Sequence, residues 1–345
     1  MELKVYTEDL ERVGQADNAR SVVWTRRYYE PGEAEISLPL TKANLALFRK
    51  GRIIGRKGRK EAAIIEDLEI TESEDDAVMV AKGRFLSSYL GRRITGATTT
   101  YTGTYEATMR AVIQACTPIP RLDLADPAGY TETVKFQATR KNLQALLTKL
   151  AKASEIGYRV TPDFRNRRLI FETYKGVDHT IAGDRVIFSE EFGNLTNSTY
   201  KYSAINYANV AVIGGEGEGA DRVIVTIDDG QTGLDRYEVF VDAKDIRKED
   251  GMTDAEYEAL LLKRGEEKLR EAAISESIEC ETDGNAGFKY LEDYDLGDVV
   301  QVRKKGWSLT MSARLTEIKE CYENGALTII PTIGIPLPET LDLED

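Results

Sequence analysis

Ser21-Val-Val-Trp-Thr-Arg-Arg-Tyr-Tyr-Glu-Pro-Gly32, continued by Ala34-Glu-Ile-Ser-Leu-Pro-Leu40, carries the fold class. The first arm is dense in β-branched and aromatic residues, and the second places Ile36, Leu38 and Leu40 two apart. Two such arms about a Pro-Gly turn predict a β-hairpin, because alternate side chains of a strand fall on one face. Outward from it, Leu3 to Thr7 alternates in the same way. Further strands are expected at Arg52–Gly55, Ala62–Thr71, Ala77–Arg84 and Leu86–Ile94, with Lys42 to Phe48 a short helix or turn. Six or so short strands with polar turns predict a small barrel or sandwich over the first hundred residues.

The pattern changes near residue 100. Thr104–Cys116 reads as a helix with Thr104 as its cap, ended by Pro118 and Pro120. Asn142–Ile156 is a clearer one, with Leu143, Leu146, Leu147, Leu150 and Ala151 on one stripe, Thr139 as a candidate cap and Gly157 as the stop. Tyr158–Thr161 and Arg168–Tyr174 then form a hairpin, so 103–190 is expected to be a helical α+β unit. From Tyr200 strands return. Ala204–Ile213 and Arg222–Ile227 flank a glycine-rich tip, Gly214 to Gly219. An amphipathic helix at Asp254–Ala273 precedes strands at Ile274–Glu281, Asp298–Arg303, Leu309–Cys321 and Ala326–Ile333. The fold class is therefore α+β, mainly β: two all-β blocks around a helical one, with a helix inserted in the last.

At 345 residues the chain has room for two or three domains. An apolar share of 41% with 30% charged residues is an ordinary globular composition, not a disordered one. The net charge of −13 repels phosphate backbones and anionic membranes, which argues against nucleic-acid binding as the main role. No window approaches 18 apolar residues, so no membrane insertion is expected. The N-terminus is charged from its second residue, and synthesis in the cytoplasm without a secretory segment is the expectation.

No enzyme constellation emerges. Any Ser-His-Asp, Cys-His or multi-histidine metal chemistry would have to run through His179, the one histidine. Cys116, Cys280 and Cys321 lie far apart with no CxxC spacing and read as packed thiols. The glycines at 214–219 lead into a strand, whereas a phosphate cradle needs a helix there. Arg49 to Lys60 holds seven cations in twelve residues, a charge that would suit nucleic acid. In so acidic a chain it reads better as a solvated hairpin or an inter-subunit salt-bridge surface. The carboxylate groups Asp75/Asp76, Glu190/Glu191, Asp228/Asp229 and Asp293/Asp295/Asp298 suit turns better than a glycosidase cleft. Seventeen tyrosines and two tryptophans raise a carbohydrate-binding alternative, but Trp24 and Trp307 both sit in strand patterns and are expected in the core. No catalytic, cofactor-binding or metal-binding residue is assigned.

Several segments together resemble the hub proteins of phage tails: the siphophage tail-tip hub family, the N-terminal hub region of tail-associated lysins, and contractile-tail baseplate hubs. They are Leu3 to Tyr6, Ser21 to Gly32 with Glu35 to Pro39, Ile64 to Leu68, and Gly83 to Ile94. Gly214 to Gly219, Gly233 to Glu238, Phe240 to Ile246, Tyr294 to Val300, Ala313 to Ile318 and Leu327 to Gly334 complete the set. The resemblance implies a structural, non-enzymatic virion protein of the tail tip or baseplate. It implies a homotrimer in which each copy supplies two similar antiparallel β-barrels, making a pseudo-sixfold ring between the sixfold tail tube and the threefold tip. The implied partners are the distal tail protein, the tail tube, the tape-measure protein, and tip or fibre proteins. On this reading 1–102 is the first barrel, 103–190 the helical domain, and 191–245 with 275–335 the second barrel. A helical insertion spans 246–274, and 336–345 is an acidic tail. Lysins carry further C-terminal domains; here the sequence stops at Asp345, so no lytic activity is expected. Deleting 215–219 is expected to spare the fold and impair assembly. A cell-wall hydrolase and a receptor-binding tail protein are the alternatives.

Overall fold

The computed structural model describes residues 1–73, 76–180, 185–282 and 287–335. The expected acidic tail, 336–345, and Asp75 lie outside the described residues. The first block contains β1 (Leu3–Tyr6), β2 (Arg12–Ala16), β3 (Ser21–Arg27), β4 (Glu33–Pro39), α1 (Lys42–Leu47), β5 (Ile53–Arg56), β6 (Ala62–Ile64), β7 (Asp67–Glu72) and β8 (Ala77–Arg84). The hairpin at the Pro-Gly turn is β3–β4, paired from Ser21–Ser37 to Thr25–Glu33. Its alternation turns Val22, Ile36 and Leu38 inward, where they meet Leu3, Val5 and Ile54 from the sheet β2-β1-β5-β6. Two layers thus share one core.

The central block contains β9 (Thr99–Thr104), α2 (Tyr105–Ala115), β10 (Leu122–Leu124), β11 (Thr133–Ala138), α3 (Leu143–Ser154), β12 (Gly157–Asp163) and β13 (Arg168–Tyr174). Leu86–Ile94, expected as a strand, is instead a 3-10 helix over Leu86–Arg92. Its turns set Leu86 and Leu90 together in the central core, against Leu143, Leu147 and Phe171. Thr104 caps α2 as expected, accepting a hydrogen bond from the Ala107 N–H. For α3 the cap is Asn142 rather than Thr139, and the helix ends on Glu155 in the left-handed region, two residues before Gly157.

The last block contains β14 (Ile187–Ser189), β15 (Thr196–Ser203), β16 (Val210–Gly214), β17 (Ile224–Asp228), β18 (Glu238–Asp242), α4 (Asp254–Glu271), β19 (Ser275–Glu281), β20 (Val299–Lys304), β21 (Leu309–Glu323) and β22 (Ala326–Gly334). Strand β21 runs fifteen residues, about 50 Å at the rise of an extended chain. Its first part, Leu309–Arg314, pairs with β20, and its second, Glu317–Glu323, pairs with β3 of the first block. This length is why the two β blocks do not separate. They join in one sheet of order β15-β19-β22-β21-β3-β4-β8-β7, with β14 and β20 alongside.

No sheet among the described residues closes into a barrel, which corrects the expected closure of both blocks. The chain is mainly β, with several antiparallel sheets. Pairs β10–β13, β14–β20 and β16–β18 are parallel. The glycine-tipped hairpin forms as β16–β17, but with β18 it makes a separate sheet. Helix α4 covers one face of it, through Tyr257, Leu260 and Leu261 on Ala211, Ile213 and Val241. No described helix is long and apolar enough to cross a membrane.

Candidate functional site

The three blocks meet at Tyr28, in the loop that the sequence marks with Glu-Pro-Gly. Its ring is fully buried between Gly157 of the central block and Gly297 of the last. A Cβ at either glycine would stand 2.4 or 2.3 Å from the ring, and Gly297 has φ +97°, so both positions require glycine. The Tyr28 hydroxyl donates to the carbonyls of Glu155 and Tyr174 at 3.0 and 3.1 Å. The Arg314 guanidinium of β21 lies 5.3 Å from the ring centre.

Beside it runs a buried ionic network. The Arg26 guanidinium donates to Glu61 at 2.9 Å, to the Tyr290 hydroxyl at 2.7 Å and to Asp295. Burial opposes its charge, yet Glu61, Tyr290 and Asp295 together hold its pKa above the ordinary arginine range. Tyr290 passes its proton to Glu320, which is wholly buried and also receives Arg56 and both arms of Arg59, the latter at 2.6 Å. The basic stretch is thereby reassigned in part: Arg56 and Arg59 serve an intrachain carboxylate, neither solvated nor left for another molecule. Glu320 is the residue that sequence reasoning missed. Its signal was its register, since it shares the inward face of β21 with Ile318.

The other motifs resolve into local structure. His179 is buried, with Nε2 3.2 Å from Asp298, whose carboxylate also accepts the Val177 and Asp295 N–H groups. In the glycine tip, the carbonyls of Gly214 and Gly215 accept from Arg222 at 2.7 and 3.1 Å, and the Glu216 N–H donates to the Tyr257 hydroxyl. Carbonyl oxygens turned inward make no anion cradle. The same contacts overturn the expectation that 215–219 can be deleted harmlessly, since Gly215 also bonds Val223. Asp76 pairs with Arg20, Glu190 with Lys304, Glu191 with Lys305, and Asp228 with Arg236. Asp229 and Asp293 accept backbone N–H groups. Trp24 is buried, but Trp307 stands 45% exposed on a 3-10 turn with Lys304 over its ring, so it is not a core residue. Cys116 and Cys280 are buried and Cys321 is half-buried; burial pushes the Cys280 thiol up to about 12, where it is inert at neutral pH. Among the described residues no group of three or more His, Cys, Asp and Glu side chains could hold a metal ion.

What remains exposed are sheet edges and apolar side chains. Strands β7 and β15 are the two ends of the large sheet. Edge β7, Asp-Leu-Glu-Ile-Thr-Glu, carries charges of the kind that prevent indiscriminate pairing. Edge β15 exposes Tyr200 and Tyr202, and the separate sheet exposes Ile224 and Phe240. Surfaces of this sort bind other proteins rather than turn over a substrate.

Solved structures with the same fold are tail proteins. One from Neisseria meningitidis MC58 is 12% identical, with a TM-score of 0.61 over 96% of this chain and 95% of that one. The 43 kDa tail protein of prophage MuSo2 from Shewanella oneidensis is 13% identical, with a TM-score of 0.60 over 96% and 98%. Prophage tail protein gp18 from Listeria monocytogenes EGD-e is 11% identical, with a TM-score of 0.52 over 97% and 94%. No curated protein matches the sequence. Residues 2–335, spanning all three blocks, match the model of the siphovirus ReqiPepy6 Gp37-like proteins, and the chain belongs to that family.

Proposed function

We propose that the chain is a structural hub of a phage tail tip or baseplate, not an enzyme. Three copies form a ring, each presenting two β units of related role, so that six units face the sixfold tail tube and three chains face the tip. The units are 1–102, and 191–245 with 275–335; 103–190 and the 246–274 insertion surround them. The neighbours would be the distal tail protein, tube and tape-measure protein on one side and tip or fibre proteins on the other. The observation that carries this is β21, which fixes the two β blocks in one sheet, in a chain whose whole length has a tail-protein fold. A ring of quasi-equivalent units needs both units held rigidly in each subunit. The carboxylate groups named above that lie within the described residues are held by cations or N–H groups, which supports a scaffold. Imaging of assembled tails tests the reading: three copies in one ring at the distal end are expected. A different copy number, or a position away from the tail end, sinks it.

A further inference from the structure

The sheet β17-β16-β18 has two faces, and α4 covers only one. Register places Val212 between Thr226 and Phe240, and Gly214 between Ile224 and Asp242, on the other face. There Ile224 and Phe240 are about half exposed, and Leu234, in the loop joining β17 to β18, is 94% exposed. Between residues 210 and 242 the sequence holds eight carboxylates against Arg222 and Arg236. Both guanidiniums are already held, by Asp242 and by Asp228 with Glu238. The lobe is therefore an acidic surface with an uncovered apolar stripe.

The opposite character appears at the N-terminal corner. Residues 42–60 hold eight cations and no carboxylate. Only Arg56 and Arg59 are neutralised, by Glu320; Lys50, Lys57 and Lys60 are exposed without a carboxylate partner among the described residues. Val13 on β2 and Leu45 on α1 are exposed in the same corner.

We propose that the outer face of β17-β16-β18 docks the basic corner, residues 42–60, of a second copy of this chain. Charge opposes charge, and apolar meets apolar. The contact is head-to-tail, since the two patches differ, so repetition closes a ring or grows a filament. This rests on the proposed ring and names its contact.

The test is the mass of the full chain in solution at high protein concentration. The wild type is expected to self-associate, less so as salt rises, because exposed charges are screened. Lys57→Glu with Lys60→Glu, and separately Leu234→Lys with Asp235→Lys, are each expected to give monomers with unchanged thermal unfolding. Mixed in equal amounts, the two variants should associate again, because each retains the patch that the other lost. A wild type monomeric throughout, variants that associate like it, or a mixture that stays monomeric would overturn the contact. Trimers that survive both variants would remove the contact and leave the hub reading standing. Rescue of an assembly that is not threefold would do the reverse.

Discussion

Glu106 shows how one carboxylate can fix a loop. Although buried on the first turn of α2, it accepts N–H bonds from Ala128, Gly129 and Tyr130 at 2.7, 2.8 and 3.2 Å, and the Thr173 hydroxyl at 2.6 Å. Burial pushes its pKa up, but these donors outweigh burial and leave it below the ordinary glutamate range. A depressed folded pKa adds stability that is complete above the unfolded value, about 4.3, and is lost as pH falls through the folded one. Glu106→Gln should therefore lower the urea midpoint at pH 7, and the gap to wild type should narrow below about pH 4. A gap independent of pH would show that the charge is irrelevant. Thr104 as the cap of α2 was legible in the sequence, because a cap reads its own helix. The loop at 128–130 was not, because it is more than twenty residues away and carries no periodic pattern.

At the level of elements, the same contrast separates what periodicity can show from what it cannot. The β3–β4 hairpin and helices α2, α3 and α4 follow from alternation, stripe and cap, all local signals. The pairing of β21 with β3 joins residues nearly three hundred apart, and no spacing rule reaches that far. The Arg56–Arg59 stretch illustrates the consequence: in sequence it is a run of cations, in the fold two of them are partners of Glu320. Removing that carboxylate leaves two largely buried guanidiniums uncompensated, a loss of about 3–5 kcal/mol. Glu320→Ala is expected to show that loss in chemical denaturation, while Glu317→Ala, on the outer face of the same strand, should cost less because its partner Arg27 keeps Glu33. Equal losses would mean that the network contributes no more than a surface pair.

On the scale of the whole molecule, cohesion is uneven. The first and central blocks share a core that includes Tyr6 and Ile53 beside Leu143 and Phe171, and the first and last share a sheet. The β16–β18 lobe with α4 has a core of its own. Its ties to the central block are mostly polar: Gln137 to the Arg247 backbone, Thr100 to Glu249, Lys141 to Asp245 and Lys149 to Glu271. Such contacts transmit less than a continuous apolar core, so the lobe should unfold as a separate cooperative unit. Calorimetry is expected to resolve two transitions, the smaller belonging to the lobe. Leu261→Ala, at a fully buried position under the lobe's sheet, should destabilise that transition by about 2–5 kcal/mol and leave the larger one in place. The basic corner belongs to the larger unit and the acidic face to the smaller. A ring closed through both would therefore raise the lobe's transition on assembly, because binding stabilises the state that binds. One transition that moves as a whole in the variant would mean that the polar ties couple the lobe fully, and that the chain enters its assembly as one rigid body.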